Sequence, residues 1–545
     1  MAAIRTDPAA EARPHGAWAA DLLATLMLAL ALYTGVRATS GLTWSHYVDS
    51  DRDISFVRSV MEGHYGEDPL YLGEKMWFTP LLFAIEAAGA KLLGLDVHVF
   101  QARAGAWLNI FAPLAFWLMA RRFFGAYAGV ASLLAYLCLM QGQEPGWAVA
   151  TYSPWLLPMI FSQSLFFFGL MLLAWAADKD DARIWALVGA MAGLVFLSHA
   201  APAILLVLLT MLLLLGPAWR ELRAGHRSAA MRQIAKGLVA GGMFIIVSLP
   251  LTWYVIGDYL LDQKNRVPSA YTYRPLSIRH ANLILFHNVH WANLVALVGI
   301  FRLWRMEATT PVRLLRWCVP LCLLLMAYAY AAVVMGQQWD IGLPMAVPSF
   351  HFYFYLKALL AIGFGVGFWW SVELAMRWRS KPDPKGQAAT GWGTLLLALV
   401  FIAVFPAYAH RPDLVLVRER GLDRSSSVHE AEMRDRLVAL PWTSVVLCDE
   451  ELSMRVLMAS ARKTVATNSS MANPYVVPEP RMAAREAMLQ GLRDTSADIG
   501  AALDAYAVTH LLVRTEDIGA SPSLGRWFPH EVYRNEGYAL FGRKP

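Results

Sequence analysis

About eleven strongly apolar stretches, most of them near twenty residues long, recur along the 545-residue chain and restrict what it can fold into. They run approximately over 17–40, 98–120, 124–141, 152–177, 184–199, 201–218, 236–256, 284–304, 316–336, 352–376 and 390–409. A hydrocarbon core about 30 Å thick is crossed by roughly 20 helical residues, and backbone amides in lipid find partners only inside a helix or a closed barrel. The chain is 57% hydrophobic and 16% charged, whereas soluble domains are about a quarter charged. The expected class is therefore mainly α, a polytopic helical membrane protein of about eleven spans. The first stretch is too long for a signal-peptide core and reads as a retained helix after a polar N-terminus, 1–16.

The stretch 78–95 is apolar but interrupted by Glu86 and Lys91, and reads as an interfacial helix rather than a span. Excluding it puts Arg121-Arg122, Arg220/Arg223/Arg227/Arg232/Lys236, Arg302/Arg305/Arg313/Arg316 and Arg377/Arg379/Lys381/Lys385 on the same side as the N-terminus. By the positive-inside rule that side is the cytoplasm. The loop 41–97 and the C-terminus then face outward, as expected of a bacterial inner-membrane protein.

From about Arg411 the composition becomes soluble. Segments 442–447 and 510–513 read as strands and 433–440 and 483–492 as helices, so 411–545 is expected to be a small α/β domain on the outer face. The membrane domain is then 17–410. The net charge of +6 sits in short loops and does not point to nucleic acid. Cys138, Cys318, Cys322 and Cys448 have neither disulfide-framework nor metal-site spacing. No Gly-rich phosphate loop is present.

The first outward loop carries the chemistry-bearing residues. Asp49, Asp51 and Asp53 share one face of an extended chain, while in a helix Asp49 and Asp53 do so. Either arrangement lets one carboxylate act as a base tuned by another, or lets Asp49 and Asp51 hold a divalent cation such as Mg or Mn. The same residues also read as a solvated acidic turn opening a helix over 54–61. Asp68, Glu74 and Lys75 follow, with Arg58 between. Elsewhere near the outer face, Arg266, Arg274, Arg279 and His280 lie on the loop 257–285 and Lys357 near the start of the tenth span, all suited to a phosphate; solvated or snorkelling roles remain open for them. His199 is either a site residue or the cap of the helix that follows it. His287, Asn288 and His290 read as interface residues. Asn473-Pro474-Tyr475 is extended and able to drape over the membrane site.

The order of these elements resembles the first outer loop of the GT-C superfamily of integral-membrane glycosyltransferases: one helix, a loop opening with Asp, a helix carrying Arg58, then Gly63, then an aromatic and glycine-containing run. Asp49 is similar in position to the first-loop catalytic Asp of bacterial oligosaccharyltransferases. Tyr71-Leu72-Gly73-Glu74-Lys75 with Pro80-Leu81 looks like the Glu-Lys-Pro-Pro-Leu stretch of the lipid A aminoarabinose transferases, which implies that Lys75 contacts a lipid-linked phosphate. Phe196-Leu197-Ser198-His199-Ala200-Ala201-Pro202 is also a pattern common in the superfamily. Three features depart from it. There is no Trp-Trp-Asp acceptor-reading motif, which argues against N-linked transfer to sequons. Asp49 is not followed by Glu, as in protein O-mannosyltransferases. And Lys75 is followed by Met76-Trp77-Phe78-Thr79 before Pro80.

The resemblance implies a glycosyltransferase using a polyprenyl-phosphate sugar and a hydroxyl acceptor on an envelope glycan, lipid or protein. An Asp serves as base, and Lys75 with Arg274, Arg279 or Lys357 steadies the phosphate. The alternatives are a transporter or flippase of lipid-linked sugars, and a non-catalytic envelope scaffold. A transporter is expected to show paired repeats or charges near the midplane, and spans 124–141, 201–218 and 390–409 contain no charged residue.

Overall fold

In the computed structural model, residues 17–46, 49–140, 151–179, 181–265, 291–339, 350–379 and 387–543 are described, with 341, 343 and 347 between them. Seven helices among them are long and apolar enough to cross a membrane: Ala17–Thr39, Pro158–Lys179, Ala200–Arg223, Arg227–Asp258, Thr310–Gly336, His351–Met376 and Gly391–Ser426. Shorter apolar helices cover Ala126–Leu139 and Ala182–Ser198. The protein is a multi-pass helical membrane protein with a small five-stranded sheet near its C-terminus.

In chain order, α1 (Ala17–Thr39) is followed by α2 (Ser50–Met61), α3 (Leu81–Leu93), α4 (Val97–Leu108) and α5 (Phe111–Phe124). Next, α6 (Ala126–Leu134) continues into a π turn over Ala135–Leu139. Then come α7 (Pro158–Lys179), α8 (Ala182–Ser198), α9 (Ala200–Arg223) and α10 (Arg227–Thr252). The bundle closes with α11 (Trp291–Arg305), α12 (Thr310–Trp339), α13 (Phe350–Arg379) and α14 (Gln387–Ala409).

The stretch expected as one span over 98–120 is two helices, α4 and α5, broken at Asn109. The buried Asn109 side chain donates through Nδ2 to the carbonyls of Ser153 and Trp155, at 2.8 and 2.9 Å, while its backbone amide still bonds the Gly105 carbonyl. Gly105 allows that segment in: a Cβ there would sit 2.1 Å from the Pro154 carbonyl oxygen. A sequence window sees the hydrophobicity of both halves but not this docking.

Hydrogen bonds identify the two ends of the bundle. At one end, Arg121 pairs with Asp21 near the start of α1, at 2.6 and 2.7 Å. At the other, Arg418 donates to the carbonyls of Arg37, Ala38 and Ser40, satisfying the C-terminus of α1. Thr79 donates to the Ser198 carbonyl there, at 2.9 Å. This second end carries α2, α3 and the C-terminal domain, and is called the loop end below. Starting there, α9 extends 24 residues, or about 36 Å, which takes Arg220 and Arg223 to the far end.

The C-terminal part starts with α15 (Pro412–Ser426) and α16 (Val428–Ala439). Strands β1 (Val445–Leu447), β2 (Lys463–Thr464), β3 (Val508–Arg514), β4 (His530–Arg534) and β5 (Tyr538–Gly542) form a sheet in the order β2-β1-β3-β5-β4. The β2-β1-β3 pairs are parallel and the β3-β5-β4 pairs antiparallel. Strand alternation gives the sheet two cores. Val445, Leu447, Leu511 and Val513 pack with Met488 and Leu492 of α17 (Pro478–Leu492), and Val446, Leu512 and Leu540 with Met433 and Leu437 of α16. The two expected strands and two expected helices are present; β2 is two residues long and β4 is charged, so neither stands out in the sequence, while β5, an uncharged Tyr-Ala-Leu-Phe-Gly run, was passed over.

Candidate functional site

The acidic stretch is helical from Ser50, earlier than the expected 54–61, so the three aspartates diverge. Asp49 is the N-terminal cap residue, and its backbone carbonyl accepts from the Asp53 amide at 3.0 Å. Its side chain is 30% exposed, against 15% for Asp51 and 1% for Asp53, which makes it the carboxylate most open to a substrate.

Arg52 joins Asp49 to Asp53. One guanidinium nitrogen lies 3.3 Å from Asp49, while Nε and Nη2 donate to Asp53 Oδ1 at 3.0 and 2.8 Å. The guanidinium sits 4.5 Å over the Phe78 ring, a favourable placement for a delocalised cation. Asp53 Oδ2 has no hydrogen-bond partner, and burial raises this carboxyl to about 7 despite Arg52. Next to it in the packing, Phe56 and Phe83 stack at 5.3 Å, and one turn beyond Phe83 lies Glu86. Glu86 is 1% exposed with both oxygens unpartnered, and burial first, then Asp53, pushes its carboxyl well above the usual range. Expected as the polar side of an interfacial helix, it is instead buried against α2.

Asp51 turns the other way. Arg424 Nη2 contacts both of its oxygens, at 2.8 and 2.9 Å, while Arg424 Nη1 donates to the Ser45 carbonyl at 3.1 Å. Asp49 and Asp51 thus pair with different guanidiniums, those of Arg52 and Arg424. Among the described residues no group of three or more His, Cys, Asp or Glu is placed to hold a metal.

A second cluster surrounds Lys75. The Lys75 side chain is exposed. Its backbone amide donates to the Tyr259 hydroxyl at 2.7 Å, and Glu74 Oε2 lies 3.1 Å from the same hydroxyl. Asp68 is buried as the centre of a turn: Oδ1 accepts from the amides of Leu70 and Tyr71, and Oδ2 from Asn473 at 2.9 Å. Its carboxylate is occupied within the fold.

The remaining candidates are dispersed. Arg58 donates to the Ala459 carbonyl at 2.9 Å, pinning α2 to the C-terminal domain. The His199 ring accepts from the Ala201 amide at 3.2 Å, which is the capping role, and lies 4.7 Å from the His351 ring. Lys357 is fully buried within α13, its ammonium 4.9 Å from the Tyr353 ring centre, so it does not snorkel to a surface. Arg266, Arg274, Arg279, His280, His287, Asn288 and His290 lie outside the described residues.

Sequence reasoning passed over Arg52, Arg424 and Tyr259. Arg52 and Arg424 had no distinguishing pattern, since arginines on acidic helices are ordinary. Tyr259 follows directly on a membrane helix, where tyrosines are expected at the interface.

Solved structures match over nearly the whole length. ArnT from Cupriavidus metallidurans in the apo state superposes with a TM-score of 0.50 at 13% identity, covering 95% of this chain and 97% of that one. The chain has the GT-C fold. The same ArnT bound to undecaprenyl phosphate gives a TM-score of 0.49 at 14% identity, again over 95% of this chain and 97% of that one. The Archaeoglobus fulgidus oligosaccharyltransferase, in complex with Zn and sulfate, gives 0.49 at 12% identity over 95% of this chain and 73% of that one. No protein-family model and no curated protein matches the sequence.

Proposed function

We propose that this protein is a membrane glycosyltransferase that moves a sugar from a polyprenyl-phosphate donor to a hydroxyl acceptor at the loop end of the bundle. One observation carries the reading: Asp49, the most open of the three loop carboxylates, stands at the start of α2 with its neighbour Arg52 held against Asp53. The GT-C fold supports it as an architecture but does not by itself name a reaction.

In the proposed step, Asp49 accepts the proton of the acceptor hydroxyl as its oxygen bonds to the anomeric carbon. The bond from that carbon to the phosphate oxygen breaks, its electron pair leaves on the phosphate, and the anomeric centre inverts. General-base assistance of this kind contributes about a hundred- to ten-thousand-fold. The exposed ammonium of Lys75 is assigned to the leaving phosphate, where fixed positive charge stabilises the developing anion. No step is routed through a metal.

The donor class agrees with the lipid seen in ArnT, which has been solved with undecaprenyl phosphate. The loop end is assigned to the outer face, and the arginines at the far end, Arg121, Arg220 and Arg223 among them, favour the cytoplasm there. The reading is tested by transfer itself: purified protein is incubated with synthetic polyprenyl-phosphate sugars and a hydroxyl acceptor, and released prenyl phosphate is measured.

A further inference from the structure

The segment following α10, the Lys75 loop and a strap from the C-terminal domain meet at one phenol. Tyr259 Oη accepts from the Lys75 amide at 2.7 Å and from Asn473 Nδ2 at 3.1 Å. Its single proton faces two acceptors, Glu74 Oε2 and the Lys75 carbonyl, each at 3.1 Å. A phenol oxygen has one donor and two acceptor sites, so this group is fully used. Burial raises its pKa, which keeps the proton on.

The strap is 473–475. Asn473 Oδ1 accepts from the Tyr475 amide at 2.9 Å, which orients the carboxamide so that Nδ2 reaches both Asp68 and Tyr259. The Tyr475 ring stacks on Tyr259 at 4.6 Å, nearly parallel. Beyond Tyr259 the chain makes a left-handed turn at Leu260 and Leu261, with φ of 50° and 60°. That conformation is disfavoured for residues carrying a Cβ, which crowds the following carbonyl oxygen. The turn brings Asn265 back to the strap, its amide donating to the Pro474 carbonyl and its side chain to the Ser469 carbonyl, both at 2.8 Å.

We propose that Tyr259 and Asn473 are positioning residues for Lys75, so that the C-terminal domain sets the donor site by fixing the backbone from which the phosphate-binding ammonium projects. This rests on the assignment of Lys75 to the donor phosphate. The strap noted in the sequence as able to drape over the membrane site thereby acquires a specific partner.

The test uses the full-length protein and undecaprenyl phosphate as the probe. Lys75→Ala, Tyr259→Phe, Asn473→Ala and the double variant Tyr259→Phe/Lys75→Ala are purified and their probe affinities measured. Tyr259→Phe keeps the ring stack and removes only the hydroxyl, leaving the Lys75 amide without its acceptor; about a tenfold loss of affinity is expected, the scale of one hydrogen bond to a functional group. Asn473→Ala is expected to weaken binding in the same direction, and provides the test should Tyr259→Phe fold poorly. The double variant is expected to bind no worse than Lys75→Ala alone, because a positioning residue has nothing left to position. Additive losses in the double variant, or unchanged affinity in both Tyr259→Phe and Asn473→Ala while Lys75→Ala is impaired, overturn the positioning role. Unchanged affinity in Lys75→Ala overturns the phosphate assignment itself and the positioning role with it.

Discussion

Arg424 and Asp51, 373 positions apart in the chain, form an ion pair in which one guanidinium nitrogen contacts both carboxylate oxygens, at 2.8 and 2.9 Å. The arginine belongs to α15 and the aspartate to the first turn of α2. Since Arg424 also donates to the carbonyls of Ser45 and Arg455, it ties the approach to Asp49 to the C-terminal domain. Arg424→Ala is expected to cost about 1–3 kcal/mol of stability, the scale of leaving part-buried charged groups without their hydrogen-bond partner. Thermal unfolding in detergent checks this. A variant as stable as the parent would show that the pair holds nothing together.

The separate environments of the aspartates predict separate consequences. Asp49→Asn removes the proton acceptor and should reduce turnover by at least about a hundredfold, with undecaprenyl phosphate binding retained. Asp51→Asn should lower stability and leave measurable turnover, since Asp51 is engaged with Arg424. Equal loss of turnover with equal retention of stability in the two variants would contradict this division.

Glu86 gives a pH-dependent prediction. Its carboxyl is held well above 4.5 in the fold by burial and by Asp53, so the native state keeps a proton that the unfolded chain releases. With more protons bound when folded, stability falls as pH rises above the unfolded value of about 4.3. Glu86→Gln keeps the shape and removes the titration. Its gain in Tm over the parent should therefore be larger at pH 7.5 than at pH 5. A gain independent of pH would place the native titration of Glu86 back in the ordinary range.

The hydrophobic spans and the soluble tail were legible because burial in lipid imposes a length and a composition that a sequence displays directly. Asp49 and Lys75 were singled out through residue order alone. The pairing of Asp51 with Arg424, the burial of Asp53, and the Asp68–Asn473 contact depend on segments hundreds of residues apart meeting at the loop end, and no local pattern encodes such meetings. The break at Asn109 was hidden for a related reason: the side-chain carboxamide just past α4 serves carbonyls of the segment leading into α7.

Membrane orientation is checked by cysteine labelling. Ser426 at the end of α15 and Ser228 at the start of α10 are both exposed. A membrane-impermeant thiol reagent applied to intact cells should label Ser426→Cys and spare Ser228→Cys. The reverse pattern would put the Asp49 loop in the cytoplasm and remove the need for a lipid-linked donor.

Release of prenyl phosphate from a panel of synthetic polyprenyl-phosphate sugars, compared between the parent and Asp49→Asn, tests the proposed reaction most directly. The expected result is acceptor-dependent release by the parent with at least one sugar, reduced by at least about a hundredfold in the variant. Release that is equal in the two proteins, or absent from the parent with every sugar and acceptor tried, would contradict it.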